Sequence, residues 1–369
     1  MDRRAFRKLV TSRIVLMDGA TGSNLLKRGM PPGVCCEEWI AKNPGIISQL
    51  QKEYAKAGSD IILAPTFGAN RPVLSEHGLE SEVVDLNKKL VEISRSANPD
   101  ALIAGDVSMT GLMTEPMGET TFEELIDIYK EQIGALAEAG VDLLDIETMI
   151  NLADARAAVI AAKECTDLPV MVTMSFNENG MTMYGNGPDA AIISLQDLDV
   201  DAVGINCSAG PDKVLPIVKK MKRFAKVPLI VKPNAGLPLA DNEGNSVYSM
   251  EPEEFAGFFE EILKCGVHII GGCCGTAPEY IEALHSAYAD FKVSESVYEV
   301  EFPEAMIATS RMGAFVSEAE DIEEFDCDRY ELHAIVDEIN ELQSDFLRIT
   351  GSDEKKRALA RRVYNGVAL

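Results

Sequence analysis

Eight cysteines punctuate the chain, at positions 35, 36, 165, 207, 265, 273, 274 and 327. The most informative pair lies in Gly271-Gly-Cys-Cys-Gly-Thr276, where glycines allow a tight, accessible turn around two adjacent thiols. Adjacent cysteines are rarely bridged to each other, and a pair buried as core would not require the surrounding glycines. Cys207 closes Gly-Ile-Asn-Cys-Ser at 204–208 in a similar way. In a reduced, cytoplasmic protein, clustered cysteines point to metal binding or catalysis before disulfides. Three thiolates, from Cys207, Cys273 and Cys274, fit zinc, and a three-ligand site leaves the open position of a catalytic zinc. A substrate thiol suits that position. Coordination displaces its proton at neutral pH and leaves a nucleophilic thiolate able to accept a methyl group. Geometry and the metal then supply most of the rate, with no general base required. The histidines at 77, 268, 285 and 333 show no ligand spacing, and His268 is expected at the bottom or in the wall of the fold. Cys165 and Cys265, near helix ends, read as buried small apolar residues.

Positioning such a cluster is the task of the surrounding elements. A short β-branched run, a polar loop and an amphipathic stretch recur along the chain. The spacing predicts strands at Ile14–Met17, Asp60–Ala64, Leu102–Asp106, Asp142–Ile146, Val170–Ser175, Ala202–Asn206, Leu229–Lys232 and His268–Gly271. Helices are predicted over Thr121–Ala139, Ala153–Lys163, Asp212–Phe224, Glu251–Lys264 and Pro278–Ala289. Eight strands alternating with helices match the (β/α)8 TIM barrel of the α/β class, typically about 250 residues. An open doubly wound sheet is the alternative, but Asp18-Gly-Ala-Thr-Gly after the first strand lacks the dinucleotide fingerprint. On a barrel, strands six and eight are separated by one strand, so their mouths lie roughly 10 Å apart, a gap one metal can bridge.

Other polar groups gather at the same strand ends. Asp18 and Glu147 each present a carboxylate that needs a partner, and the amino group of an amino-acid substrate would supply one. The plainer readings are a turn residue for Asp18 and an internal salt bridge for Glu147. Backbone amides around Gly19, Ala20 and Gly22 could bind a substrate carboxylate, and Asn234 is a further polar contact or a purely structural residue.

Composition bounds the rest. Of 369 residues, 46% are hydrophobic and 25% charged, the balance of a soluble globular protein with a large core. A formal net charge of -26 argues against nucleic acid as a partner. No apolar run reaches the roughly 18 residues of a membrane span, and no apolar region follows the basic N-terminus, so neither membrane nor secretion is expected. After about residue 290 the pattern changes, which predicts a zinc barrel over 1–290 and an acidic, partly helical C-terminal extension over 291–369. Phe291–Met306 is mixed and slightly β-like, and Glu318 to Asp328 is strongly acidic. One-sided apolar spacing predicts a helix over Tyr330–Thr350, followed by the basic residues Lys355, Lys356, Arg357, Arg361 and Arg362. The extension either packs on the barrel or a second subunit, or docks a partner protein.

Asp18-Gly-Ala-Thr-Gly, Pro-Thr-Phe-Gly-Ala-Asn at 65–70, Gly-Ile-Asn-Cys-Ser at 204–208, Lys-Pro-Asn-Ala-Gly at 232–236 and Gly-Gly-Cys-Cys-Gly-Thr at 271–276 together resemble the homocysteine S-methyltransferases. The likeness covers about residues 8–290 and is nearest to the homocysteine-binding module of cobalamin-dependent methionine synthases. It implies Cys207, Cys273 and Cys274 as zinc ligands and the homocysteine thiol in the remaining position. Asp18 and Glu147 would hold the amino group, the Gly19–Ala20 backbone the carboxylate, and methionine would be the product. Gly105-Asp-Val-Ser-Met-Thr-Gly111 departs from relatives that carry Gly-Pro, at a place that concerns the donor's approach. Since the sequence stops at Leu369, before any corrinoid module, the methyl group is expected from a separate corrinoid protein docking at the barrel mouth or C-terminal helix. The alternatives are a small donor (S-methylmethionine, S-adenosylmethionine or betaine), another small thiol as acceptor, or a non-catalytic zinc-binding subunit of a methyltransferase complex.

Overall fold

The computed structural model describes residues 1–237, 239–240, 246–293, 307–310, 314–316, 322–343 and 346–369. Eight runs rich in Val, Ile and Leu form the strands β1 (Val15–Leu16), β2 (Ile61–Ala64), β3 (Leu102–Val107), β4 (Leu143–Met149), β5 (Val170–Met174), β6 (Ala202–Cys207), β7 (Leu229–Pro233) and β8 (Val267–Ile270). Nearly every position along them is buried, as parallel strands covered by helices require. They pair in parallel in the order β1-β8-β7-β6-β5-β4-β3-β2. A parallel bridge between Met17 and Ile61 joins the two ends. There the Asp60 N–H donates to the Leu16 carbonyl at 2.7 Å and the Asp18 N–H to the Ile61 carbonyl at 3.1 Å. The sheet is thus the predicted (β/α)8 barrel, and its closure rules out the open doubly wound alternative. All eight strands fall on their predicted runs, with ends shifted by a few residues.

Alternation along each strand divides the core in two. Val15, Met17, Ile61, Leu63, Ala104, Leu143, Met171, Ala202, Ile230 and Ile269 fill the lower barrel interior, stoppered by Phe6 and Val10 of the helix Arg3–Ser12. Their neighbours in sequence, such as Leu16, Ile103, Leu144, Val203 and Val231, face outward into the layer beneath the helices. The same parity turns Asp106, Asp145, Glu147, Asn206 and Lys232 inward nearer the carboxyl ends. The helix Phe122–Glu138 opens with a capping box between Thr121 and Glu124. The stretch predicted as one helix over Glu251–Lys264 is two, Pro252–Gly257 and Phe259–Lys264, parted at Phe258, just after the weak helix former Gly257.

The extension corrects the helix predicted over Tyr330–Thr350. A 3-10 turn at Leu332–Ala334 leads into a helix, Ile335–Glu341, but Leu347–Thr350 is a strand parallel to Glu323–Asp326. Its period is two: Leu347 and Ile349 are buried while Arg348 and Thr350 are partly exposed. Pairing with Phe325's strand satisfies that pattern better than a helix would. The basic stretch forms the helix Glu354–Val363. These elements share a small core of Phe325, Ile335, Ile339, Leu347, Ile349, Val363 and Tyr364, against which Phe122 of the barrel packs. The buried Arg156 guanidinium donates to the carbonyls of Arg361 (3.2 Å) and Arg362 (3.1 Å) at that last helix's C-terminal end. Arg362 in turn pairs with Glu123 (2.5 Å) and Glu164 (2.7 Å). Residues 294–306 of the β-like stretch and 318–321 of the acidic run lie outside the described residues.

Candidate functional site

Three strand ends depart from regular geometry where the candidate residues lie. Cys207 and Ser208, closing β6, have φ of 53° and 62°, and Thr148, at a register break in β4, has φ of 58°. Non-glycine residues hold such backbones only where neighbours enforce them. Asn206 is the enforcer here. Its Oδ1 accepts from the Thr148 N–H at 2.9 Å, and its Nδ2 donates to Thr148 Oγ1 at 2.7 Å and Glu147 Oε2 at 3.2 Å. The Ser208 hydroxyl donates to the Asn206 carbonyl at 3.0 Å and accepts from the Phe176 N–H at 2.9 Å. After β8, the Cys273 N–H donates to the Pro233 carbonyl at 2.9 Å and the Thr276 hydroxyl to the Cys273 carbonyl at 2.7 Å. A side chain at Gly272 would collide with that hydroxyl; Gly275, at φ 84°, lies against the Tyr248 ring. This packing is why both cysteines sit between glycines.

The outcome is a thiol cluster. The sulfurs of Cys207, Cys273 and Cys274 lie within 4.8 Å of one another, the only such metal-ligating group among the described residues. Cys207 Sγ and Cys274 Sγ are 4.0 Å apart. Tetrahedral zinc with bonds of about 2.3 Å places sulfurs roughly 3.8 Å apart, so the donor set and its spacing fit that ion. Hydrogen bonds from Cys207 and Cys273, with one from the Tyr248 hydroxyl, bring Cys274 down to about 3 against its burial. The same sharing, with Cys207 and then Cys274, pushes Cys273 well above the usual thiol range. Sulfurs this close repel one another when ionised, so three thiolates require a cation among them. The Asn234 side chain hydrogen-bonds Cys207, while its Oδ1 is buried without a partner.

Beneath the thiols lies a buried charge network. Asp18 Oδ2 accepts from the Leu63 N–H at 3.0 Å, and Oδ1 is buried without a partner. Burial raises the Asp18 carboxyl to about 7, even though Lys232 pulls it down. Lys232 Nζ donates to Glu147 Oε2 at 2.5 Å and to Asp145 Oδ2 at 3.0 Å. Burial raises Glu147 against the pull of Lys232. Asp106, directly opposite Asp145 in register, is held well above the carboxylate range by burial, then by Glu147 and Asp145.

Asp18, Glu147 and the three cysteines therefore meet at one mouth, with Asn234 beside them. The Gly19 N–H has no partner among the described residues, whereas the Ala20 N–H already donates to Thr276 Oγ1 at 3.2 Å. Sequence reading named Glu147 as an ion-pair candidate but did not find its partner Lys232, nor roles for Asp106, Asp145, Asn206 and Tyr248. Strand parity was the available signal, since inward Leu143 and Ile230 imply inward Asp145, Glu147 and Lys232. Cys165 corrects a second expectation: it is exposed at the last turn of the helix Leu152–Cys165, and Cys265 is half-buried. His268 is buried in β8, where desolvation holds it down to about 4 and therefore neutral. No helix among the described residues is long and apolar enough to cross a membrane.

Comparison with known proteins bears on this arrangement. The methionine synthase of Mycobacterium tuberculosis is 28% identical over 311 residues, covering 78% of this chain and 26% of the relative. The Mycobacterium leprae methionine synthase is 28% identical over 304 residues, covering 76% and 25%. The chain thus spans about a quarter of the length of these curated relatives. Among solved structures, the metallated form of the homocysteine methyltransferase MmuM from Escherichia coli shares the fold, with a TM-score of 0.63, 24% identity, and coverage of 77% of this chain and 99% of that one. The family model described as homocysteine S-methyltransferase matches residues 15–288, the whole barrel from β1 to the helix after β8. By that match, the chain belongs to the homocysteine S-methyltransferase family.

Proposed function

We propose that this chain transfers a methyl group to the thiol of homocysteine, giving methionine, with zinc held by Cys207, Cys273 and Cys274. The observation that carries the reading is the cluster of three sulfurs within 4.8 Å, directly above a buried carboxylate floor. Zinc in that cluster would lower the pKa of an incoming thiol and keep it nucleophilic. The chain's own residues do the rest. Asp18 and Glu147 take the substrate ammonium, the Gly19 N–H meets its carboxylate, and Asn206 keeps Glu147 and Cys207 in fixed relation. Residues 1–290 form the catalytic unit in this reading, and 291–369 an extension whose described part packs on Phe122 of the barrel.

A separate corrinoid protein is the proposed donor. It is favoured by apolar side chains around the mouth: Phe67, Met113, Met117 and Met183, on loops after β2, β3 and β5, are 41–79% exposed. A broad apolar rim with adaptable methionines suits a large partner better than a small cation. The test supplies the zinc-loaded chain with homocysteine and, separately, methylcobalamin, a methylated corrinoid protein, S-methylmethionine, S-adenosylmethionine or betaine. Methionine should form with the corrinoid donors and disappear in Cys273→Ala. Methionine from a small donor alone would replace the donor assignment, and none from any donor overturns the activity.

A further inference from the structure

The buried Lys232 has no counterpart among the groups assigned so far. It is 1% exposed, and it starts on β7 opposite Asn206 in register. Its Nζ crosses the barrel interior to β4, where it holds Glu147 Oε2 at 2.5 Å and Asp145 Oδ2 at 3.0 Å. Around this one cation stand four carboxyl groups, Asp18, Asp106, Asp145 and Glu147, each 7% exposed or less. Buried oxygens on three of them, Asp18 Oδ1, Asp106 Oδ1 and Asp145 Oδ1, have no hydrogen-bond partner. Glu147 Oε2 is doubly held, by Lys232 and by Asn206 Nδ2 at 3.2 Å. Its Oε1 has no partner among the described residues, so the carboxylate is fixed by one oxygen with the other left over. Fixing only one oxygen in this way prepares a carboxylate to receive a second cation in a set direction.

We propose that Lys232 is a positioning residue for substrate recognition: it locks the Glu147 carboxylate so that its remaining oxygen meets the ammonium group of an α-amino acid. This rests on the reading of the substrate as homocysteine and assigns the source of its amino-group selectivity. Asp145 is the second anchor, which keeps the Lys232 ammonium at the barrel axis rather than drawn up to the mouth. A lysine serves because its single ammonium reaches two carboxylates on one strand from the far wall. A neutral side chain of the same length would leave the Glu147 carboxylate held by Asn206 Nδ2 alone, at 3.2 Å.

The experiment compares L-homocysteine with 4-mercaptobutanoate, the same thiol acid without the amino group, by calorimetric titration of zinc-loaded protein. Wild type should favour homocysteine by about tenfold or more, the scale of one charge-assisted hydrogen bond. Lys232→Met should erase that preference while leaving zinc content and the affinity for 4-mercaptobutanoate unchanged. The double variant Lys232→Met/Asp145→Asn removes one charge of each sign, so it relieves the buried imbalance without restoring the hold on Glu147. It should regain thermal stability but not the preference. A preference that survives Lys232→Met, or returns in the double variant, overturns the proposal and leaves Lys232 a charge balance only. If wild type binds neither thiol, the homocysteine reading itself has failed.

Discussion

At the level of Leu143 and Ile230 the barrel interior is wholly apolar, stoppered below by Phe6 and Val10. Two residues further along the same strands, the same inward-facing positions carry Asp145 and Lys232, with Asp106 and Glu147 beside them. Strand alternation decides which side chains face inward in both halves. Only the residue types change. The lower half removes apolar surface from water and stabilises the barrel. The upper half buries carboxyl groups whose oxygens are partly unpartnered, which costs stability. A single closed barrel can host both because the lower half holds the upper in place.

The contrast can be broken from either side. The largest effect belongs to the top: Cys207→Ala or Cys273→Ala should abolish zinc retention and reduce methyl transfer by roughly a thousandfold or more, read by metal analysis and methionine formation. Unfolding midpoints should move far less than activity. In the lower half, Phe6→Ala should cost about 3–5 kcal/mol in denaturant unfolding, since it empties the stopper, with the homocysteine KM unchanged. A raised KM with unaltered stability would mean the halves are not separable.

Asp18→Asn tests the cost of the upper half directly. The folded carboxyl titrates near 7, above its unfolded value, so the folded state binds the proton more tightly. Stability from this group is therefore present below about pH 4 and is lost as pH rises towards 7, by up to about 1.4 kcal/mol per unit. The Asn variant should escape that loss, gaining a few kcal/mol over wild type at pH 8 in the absence of substrate, about 4 at most. Its affinity for homocysteine should fall. Equal pH profiles for the two proteins would show that Asp18 carries no such penalty. The smallest effect is at the barrel floor, where Arg7 pairs with Asp201 at 2.8 Å and Asp199 at 3.0 Å but is itself half exposed. Arg7→Ala should cost less than about 1 kcal/mol, showing that Phe6 rather than the ion pairs closes the floor.

Much of this was legible in advance for local reasons. Strand runs such as Val170–Met174 and helices such as Phe122–Glu138 announce themselves through periodicity and caps within a few residues. The turn at Cys273 and Cys274 was legible because its flanking glycines allow two adjacent thiols at a strand end. Leu347–Thr350 was misread because a four-residue strand with two apolar positions also fits a helical stripe; only its partner strand Glu323–Asp326 decides between them. Cys165 was misplaced because the side of a helix end that faces water depends on what packs there.

By itself, then, the sequence determined the barrel and placed the cysteines and acids at its strand ends, because each is written in neighbouring residues. The tertiary structure alone decided that Lys232 reaches Asp145, 87 residues away, and that Asn206 ties Glu147 to the strand end that carries Cys207. It also decided the left-handed backbone at Cys207 that turns its sulfur towards Cys274. These depend on closure of the barrel, which sets the distance across it. An ion pair or a metal site is a matter of ångströms between atoms, and residue spacing along a strand fixes the facing of a side chain but not what it meets.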